Sequence, residues 1–458
     1  MGRRRAGKRQ AIQDGEEGQD GADCAPLNAL RLNDEDADVL PVIAAHPTEA
    51  VFATAFGANV RVYDARSSKG FDLVEEKEAA KHIASVRCIA FAPSGHLMAS
   101  AGDDKLVKVW DTQTWKCLRT WLSPKKISAI QFSPKGDWIF FANKFGEVLT
   151  ASCSPENLAI EVDELKPGEG ADLVLGHCCS IITDIVIPLD GRLIVTCDRD
   201  EKIRSSRMPT DPSDGSHEIA AFCLGHRSFV TRLAFVNSPS GELLLVSGGG
   251  DGTVRLWQPE LGILLQTFDV STAAPPSKEE EEEEGQETPT PTVMTVAASK
   301  AGVVAVGVQG YPDVLLLKVT EQNTLSLVQR VVISPAANIA CLTFDHANQL
   351  WAMALAPRDP ADQSEASDAP SGTVLLACAS LAVDGTTAGQ AQDIVSTPMA
   401  EALQVVPARL EAGDMTQRDY SSKATELGSV MPVKGLIKRK ISEMEREGRK
   451  VGRNDKKK

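Results

Sequence analysis

At 458 residues, with a net charge of −15 and 42% hydrophobic residues, the chain can bury a sizeable core, and it has no apolar run near the roughly 18 residues that cross a membrane as a helix. No apolar stretch follows Met1, so no secretory signal is expected, and Ala6 stands where a myristoylation site prefers Ser or Thr. Ten cysteines are scattered without a CxxC spacing, and no second pair completes a zinc site around Cys178 and Cys179, so the thiols read as reduced core residues.

The charge is unevenly placed. Residues 1–9 carry Arg3, Arg4, Arg5, Lys8 and Arg9, a formal +5, and residues 431–458 carry a formal +7. Taking these from −15 leaves −27 for the body between them. An acidic body with two basic ends is expected to meet proteins along its body and polyanions at its tails.

In chain order, an N-terminal tail (1–37) precedes a series of turns, each followed by a small apolar residue that marks the third strand of a repeat. The markers are Val60, Val107, Val148, Ile203, Val254, Val314 and Val374. Their spacings exceed the 40 to 45 residues of a minimal repeat, so the excess belongs to loops. The pattern predicts an all-β, seven-bladed WD40 β-propeller over residues 38–385. Within it, residues 271–292 hold the glutamate run Glu279 to Glu284, and residues 357–372 form a second polar run; neither composition can bury a core. A linker (386–430) and a basic amphipathic helix or tail (431–458) complete the organisation.

Repeats two and five align without a gap: Ser100-Ala-Gly-Asp-Asp104-Lys-Leu-Val-Lys-Val-Trp110 with Ser247-Gly-Gly-Gly-Asp251-Gly-Thr-Val-Arg-Leu-Trp257. His82 precedes Phe91 by nine residues, as His226 precedes Phe235. His82, Ser100, Asp104 and Trp110, and likewise His226, Ser247, Asp251 and Trp257, are each expected to form one hydrogen-bonded tetrad. These are structural groups, because no strained nucleophile turn or oxyanion donor accompanies them. Gly248-Gly249-Gly250 is followed by a strand and not by a helix N-terminus, so it reads as a hairpin turn and not as a phosphate cradle.

Repeats three and four depart from the pattern. In the third, Phe145 takes the turn-aspartate position and Ala151 the tryptophan position, with Lys144 beside them. In the fourth, Gly176-His177 leads in, Thr196 and Asp200 take the strand and turn positions, and Ser206 stands where tryptophan is expected. Its turn reads Asp198-Arg199-Asp200-Glu201-Lys202-Ile203-Arg204, six charges in seven residues. Alternating signs suit either a solvated hairpin or a surface complementary to a partner. Two neighbouring blades without the tetrad favour a compensating protein contact.

These residues carry a resemblance. The heptad Asp198 to Arg204, followed by Cys223-Leu224-Gly225-His226 and the fifth repeat, and preceded by Asp103-Asp104-Lys105, Lys108-Val109-Trp110 and Ala142-Asn143-Lys144-Phe145-Gly146-Glu147, is similar to the WD-repeat non-catalytic subunit of eukaryotic tRNA (guanine-N7)-methyltransferase. The match runs over roughly residues 85–268; blades six and seven match only as propeller strands. It implies a heterodimer with a separate catalytic subunit that holds S-adenosylmethionine and methylates a guanine of the tRNA variable loop. This chain would hold no cofactor and no metal. It implies a partner surface on blades three and four, with Arg204, Asp200, Asp198 and Lys144 in ion pairs and Lys126 and Arg199 beside them. Arg204 would present its planar fork to a carboxylate.

The ends suggest further roles. Val433, Leu436, Ile437, Ile441 and Met444 recur at helical spacing among Lys434, Lys438, Arg439 and Lys440. That stripe suits tRNA backbone contact, a helix docked on a partner, or a solvated tail. Arg3 to Arg9 suit a nuclear localisation signal or a flexible solubilising end. The competing reading of the whole is a generic interaction propeller such as a ubiquitin-ligase substrate receptor; Gln113 stands where those receptors carry Arg after Trp110-Asp111. No paired carboxylates or activated nucleophile suggests an enzyme.

Overall fold

The computed structural model describes residues 40–66, 69–73, 81–160, 164–178, 180–273, 291–333, 338–357, 372–380 and 392–393. They form seven antiparallel sheets of four strands, each a meander in chain order. The blades span residues 42–72, 86–122, 127–176, 182–223, 230–269, 293–332 and 338–393. Each of the seven marker residues sits on the third strand of its blade.

Burial follows from the architecture. The second and third strands are covered on both faces by neighbouring blades, and strands such as Leu193–Asp198 and Val303–Val308 are buried at every position. They therefore read as continuous apolar runs rather than as alternating ones. The outermost strand has solvent along one edge and is half-exposed, as in Ile263–Asp269. First strands of successive blades pack around the ring, and blade 1 closes against blade 7 through its own core. There Phe52 stacks on Tyr63 (5.2 Å) and lies 4.6 Å from Trp351. Among the described residues no strand is exchanged between these two blades, and their contact is made by side-chain packing.

A bulge recurs near the start of the first strand and supplies the stitches between blades. The register skips Ser128 in blade 3, Thr183 in blade 4 and Thr231 in blade 5. A bulged residue is released from the ladder and re-aimed. Each of these hydroxyls donates to the carbonyl of the first residue of the next blade: Ser128 to Ile182 (2.6 Å), Thr183 to Val230 (2.6 Å) and Thr231 to Val293 (2.8 Å). In blade 2 the skipped residue is Arg87; it pairs with Asp103 of its own blade, and Asp103 in turn reaches Lys144 of blade 3. At the rim, the third-to-fourth connection of one blade reaches the outer strand of the blade before it, as Ser216 N–H does to Val174 O (2.7 Å).

Three boundaries differ from the sequence reading. The last strand, Gln392–Asp393, pairs with Gly372–Ser380 and lies beyond residue 385, where the propeller was expected to end. Val270 and Ala273 are buried in a short turn, so the folded chain continues into the acidic insertion, where Thr292 is also buried. The second strand of blade 7 ends at Pro357 and the third begins at Gly372, so both ends of the polar run belong to the sheet. The glutamate run, the tail 1–37 and the segment 431–458, with Lys434, Lys438, Arg439 and Lys440, lie outside the described residues.

Removing one stitch is expected to loosen one inter-blade contact. Ser128→Ala should lower stability by about 1 kcal/mol, measured as the shift of the urea midpoint. An unchanged midpoint would show that the stitch does not contribute.

Candidate functional site

Because each blade is a meander, the turn between its second and third strands lies at the same end as the loop that enters the next blade. The sequence-selected residues of blades 2 to 5 therefore share one face of the ring.

The regular blades build this face from their tetrads. In blade 2, Trp110 donates to Ser100 Oγ (3.0 Å), Ser100 meets His82 Nε2 (2.8 Å), and His82 Nδ1 meets Asp104 (2.6 Å). Blade 5 repeats the chain through Trp257, Ser247, His226 and Asp251 at 2.9, 2.8 and 3.0 Å. The indole N–H can only donate, so the serine hydroxyl is left to donate to Nε2, and Nδ1–H then points at the carboxylate. Ser100 and Ser247 are fully buried. Their oxygens accept from the core and have no path to a substrate, so these groups are not a hydrolase triad.

Blade 4 builds the same chain from a different carboxylate. His177 Nε2 meets Thr196 Oγ1 (2.7 Å), but His177 Nδ1 meets Asp198 (2.9 Å), not Asp200 as the spacing suggested. Asp198 also accepts the backbone N–H of Asp200 (2.9 Å) and of Lys202 (3.0 Å), which fixes the turn. The equivalent residue in blade 5 is Gly249, where a Cβ would meet His226 Nδ1 at 2.6 Å and Asp251 Oδ1 at 2.8 Å. A carboxylate at this position fills the space that glycine leaves open elsewhere. Blade 3 does likewise with Asn143, whose Oδ1 accepts from Phe145 N–H (2.9 Å) and Glu147 N–H (3.2 Å).

The partner-surface candidates thus divide. Asp198, which the resemblance places in an ion pair with the partner, is buried and engages His177 and its own turn. Asp200, Glu201 and Lys202 are exposed, and Arg199 is half-buried. Arg204 folds back onto its blade: Nε donates to Ser206 Oγ (2.8 Å) and Nη1 to Gly176 O (3.0 Å). The hydroxyl that replaces tryptophan is thereby occupied by a guanidinium. Partial burial lowers Arg204 from its ordinary value.

On blade 3, Phe145 is 63% exposed, with the Lys125 ammonium 4.1 Å above its ring. Lys144 Nζ lies 3.0 Å from Asp103 of blade 2, and Arg87 holds the other oxygen of the same carboxylate at 2.6 Å. Half-buried Lys126 accepts the Lys144 backbone N–H (2.9 Å). Sequence reasoning passed over Arg87 and Asp103; the available signal was the doubled Asp103-Asp104, of which the tetrad needs only one.

The glycine triplet is no phosphate cradle. A Cβ on Gly250 would meet the Phe229 ring at 2.6 Å, so the space beside it is filled by protein. Burial pushes the thiols of Cys153, Cys223 and Cys378 up to about 12. That suits inert core residues. Cys178 is exposed, and Cys179 lies outside the described residues.

Residues 156–378 match the family model described as the tRNA methyltransferase TRM82 WD40 domain, and residues 78–111 match a WD domain, G-beta repeat. Over residues 156–378 the chain is thus similar to a TRM82-type WD40 domain. Among its relatives, the tRNA (guanine-N(7)-)-methyltransferase non-catalytic subunit wdr4 of Xenopus laevis is 33% identical over 275 residues, 59% of this chain and 62% of that protein. The human protein of that description is 33% identical over 197 residues, covering 43% of this chain and 42% of its own length. The chain thus spans less than two thirds of each. Two solved structures, of U3-55K and of the RRP9 WD40 repeats, align with TM-scores of 0.54 and 0.52 at 20% and 19% identity, each covering 70% of this chain and 89% and 88% of theirs. They share the fold. The residues matched by that family model contain all of blade 4 and blade 5, including the Asp198 turn.

The two carboxylates of the blade 4 turn should separate by stability. Asp198→Ala strips a buried acceptor from His177 and two backbone N–H groups and should cost about 3 kcal/mol, whereas exposed Asp200→Ala should stay within about 0.5 kcal/mol. Urea unfolding checks both, and a larger loss for Asp200→Ala would reverse the assignment.

Acid should act through blade 5. Burial works to raise the Asp251 carboxyl, but the hydrogen bond and charge of His226, helped by Arg227 N–H and Thr253, hold it well below its ordinary value. A carboxyl depressed in the folded state stabilises above its unfolded pKa, and that contribution is lost as pH falls through the folded one. The urea midpoint should therefore fall steadily below about pH 4. Asp251→Asn should start lower at neutral pH and fall less steeply. Parallel curves would exclude Asp251 as the group responsible.

Proposed function

We propose that this chain is the non-catalytic subunit of a tRNA (guanine-N7)-methyltransferase, which binds and stabilises a separate catalytic subunit through the turn face of blades 3 and 4. The observation that carries the reading is the TRM82-type region over residues 156–378, which includes a turn that a buried carboxylate holds rigid. Because Asp198 fixes the backbone internally, Asp200, Glu201 and Lys202 stand outside it as a preorganised charged row, two carboxylates followed by an ammonium. A rigid charged row costs little conformational entropy on binding and selects a complementary partner.

Arg204 has a double role in this reading. Its guanidinium fills the space under the missing tryptophan and lies at the edge of the turn face, where a carboxylate of the catalytic subunit would complete its hydrogen bonding. In this reading S-adenosylmethionine and the methyl transfer belong to the catalytic subunit. A nuclear location, expected from Arg3 to Arg9, is part of the same proposal, and cell fractionation tests it.

Affinity purification of the full chain followed by mass spectrometry should recover a tRNA methyltransferase catalytic subunit; recovery of cullin adaptors instead would replace this reading with that of a ubiquitin-ligase receptor. Arg204→Leu should leave the chain folded while reducing recovery of the catalytic subunit and N7-methylguanosine in tRNA. Asp200→Lys, at an exposed position, should do the same without a change in unfolding midpoint. Recovery equal to wild type for both variants would place the interface elsewhere.

A further inference from the structure

The stitch between blades 2 and 3 is unlike those between blades 3 and 4, 4 and 5, and 5 and 6. Ser128, Thr183 and Thr231 use neutral hydroxyls on a neighbouring carbonyl, whereas the bulged Arg87 donates to Asp103 Oδ2 from Nε (2.8 Å) and Nη2 (2.6 Å). The second oxygen, Oδ1, lies 3.0 Å from Lys144 Nζ in the turn of blade 3. Asp103 is only 5% exposed, while the Lys144 side chain is 38% exposed. A buried anion therefore ties a half-open cation to the face of the ring.

Two cations, Arg87 and Lys144, hold one buried carboxylate. Burial lowers Lys144 from its ordinary value, and Asp103 opposes that shift. Burial works to raise the Asp103 carboxyl, but Arg87 and Lys144 outweigh it and keep it below its ordinary value, so the anion is held.

We propose that Asp103 is a positioning residue: clamped by Arg87, its carboxylate holds the Lys144 ammonium across the blade 2–blade 3 junction, aimed at an acidic side chain of the catalytic subunit. This rests on the reading that the turn face of blades 3 and 4 meets that subunit. The ion pair with Asp103 restrains the long, flexible lysine stem before the partner arrives. Ordering a lysine side chain in advance removes part of the entropy that binding would otherwise cost.

The test measures dissociation constants for the full chain and the purified catalytic subunit by surface plasmon resonance. Lys144→Met and Asp103→Asn should each weaken binding about tenfold, and the double variant should be no weaker than Lys144→Met alone, as coupled neighbours require. Ser128→Ala, which cuts a neutral stitch, should lower the unfolding midpoint without moving the dissociation constant. Asp103→Glu keeps the charge but shifts the carboxylate by one methylene, and should show an intermediate loss that carries the test if Asp103→Asn does not fold.

An effect of Lys144→Met with none of Asp103→Asn or Asp103→Glu overturns the positioning role alone. Additive losses overturn it as well, because a merely structural residue would act independently of Lys144. Unchanged binding of Lys144→Met removes this lysine from the interface and the inference with it. No binding by the unaltered chain overturns the wider functional reading.

Discussion

The face of this propeller depends on a histidine whose two ring nitrogens are satisfied in opposite senses, one by a hydroxyl on the second strand and one by a carboxylate at the following turn. The ring spans from the loop that enters a blade to the blade's own sheet, so it fixes that loop against its hairpin. Each such bond is worth only about 0.5–1.5 kcal/mol net. Most of the stability comes from the apolar second and third strands pressed between neighbours. What the histidine chain adds is geometry: it determines where the turns of blades 2, 4 and 5 stand on this face.

That constraint explains the irregular blades. Blade 4 keeps the histidine and the hydroxyl but takes its carboxylate from Asp198, two residues earlier than in blades 2 and 5. The move frees Asp200 from internal duty and leaves it exposed, and the lost tryptophan is replaced by a guanidinium whose other end stays near the surface. Blade 3 has no histidine in its entry loop and organises its turn with Asn143, which leaves Phe145 outside. In both blades the internal bonding of the turn is completed by a residue at the end of the second strand, so the residues at its tip are available for contact.

The inter-blade stitches follow a parallel logic. A bulge near the start of the first strand releases one side chain toward the next blade, and a hydroxyl there satisfies a carbonyl at little cost. The arginine at the same position in blade 2 binds a buried carboxylate of its own blade, which in turn engages a lysine of blade 3. The joint between blades 2 and 3 thus carries a charged link on the same face as the blade 4 turn.

Much of this was legible in the sequence. The seven third-strand markers, the four-strand rhythm and the tetrads of blades 2 and 5 follow from local spacing, because strand period and turn length repeat within a blade. The charged heptad of blade 4 was equally visible. Spacing could not say which of its carboxylates reaches His177, since Asp198 and Asp200 differ by two residues and only the direction of the strand end decides between them. Nor could it pair Arg87 with Asp103 and Lys144, join Phe52 to Trp351 across the closure of the ring, or place the last strand at Gln392–Asp393. Those contacts link residues far apart in the chain. The local pattern set which residues could form blades; the closing of the ring decided which of them meet.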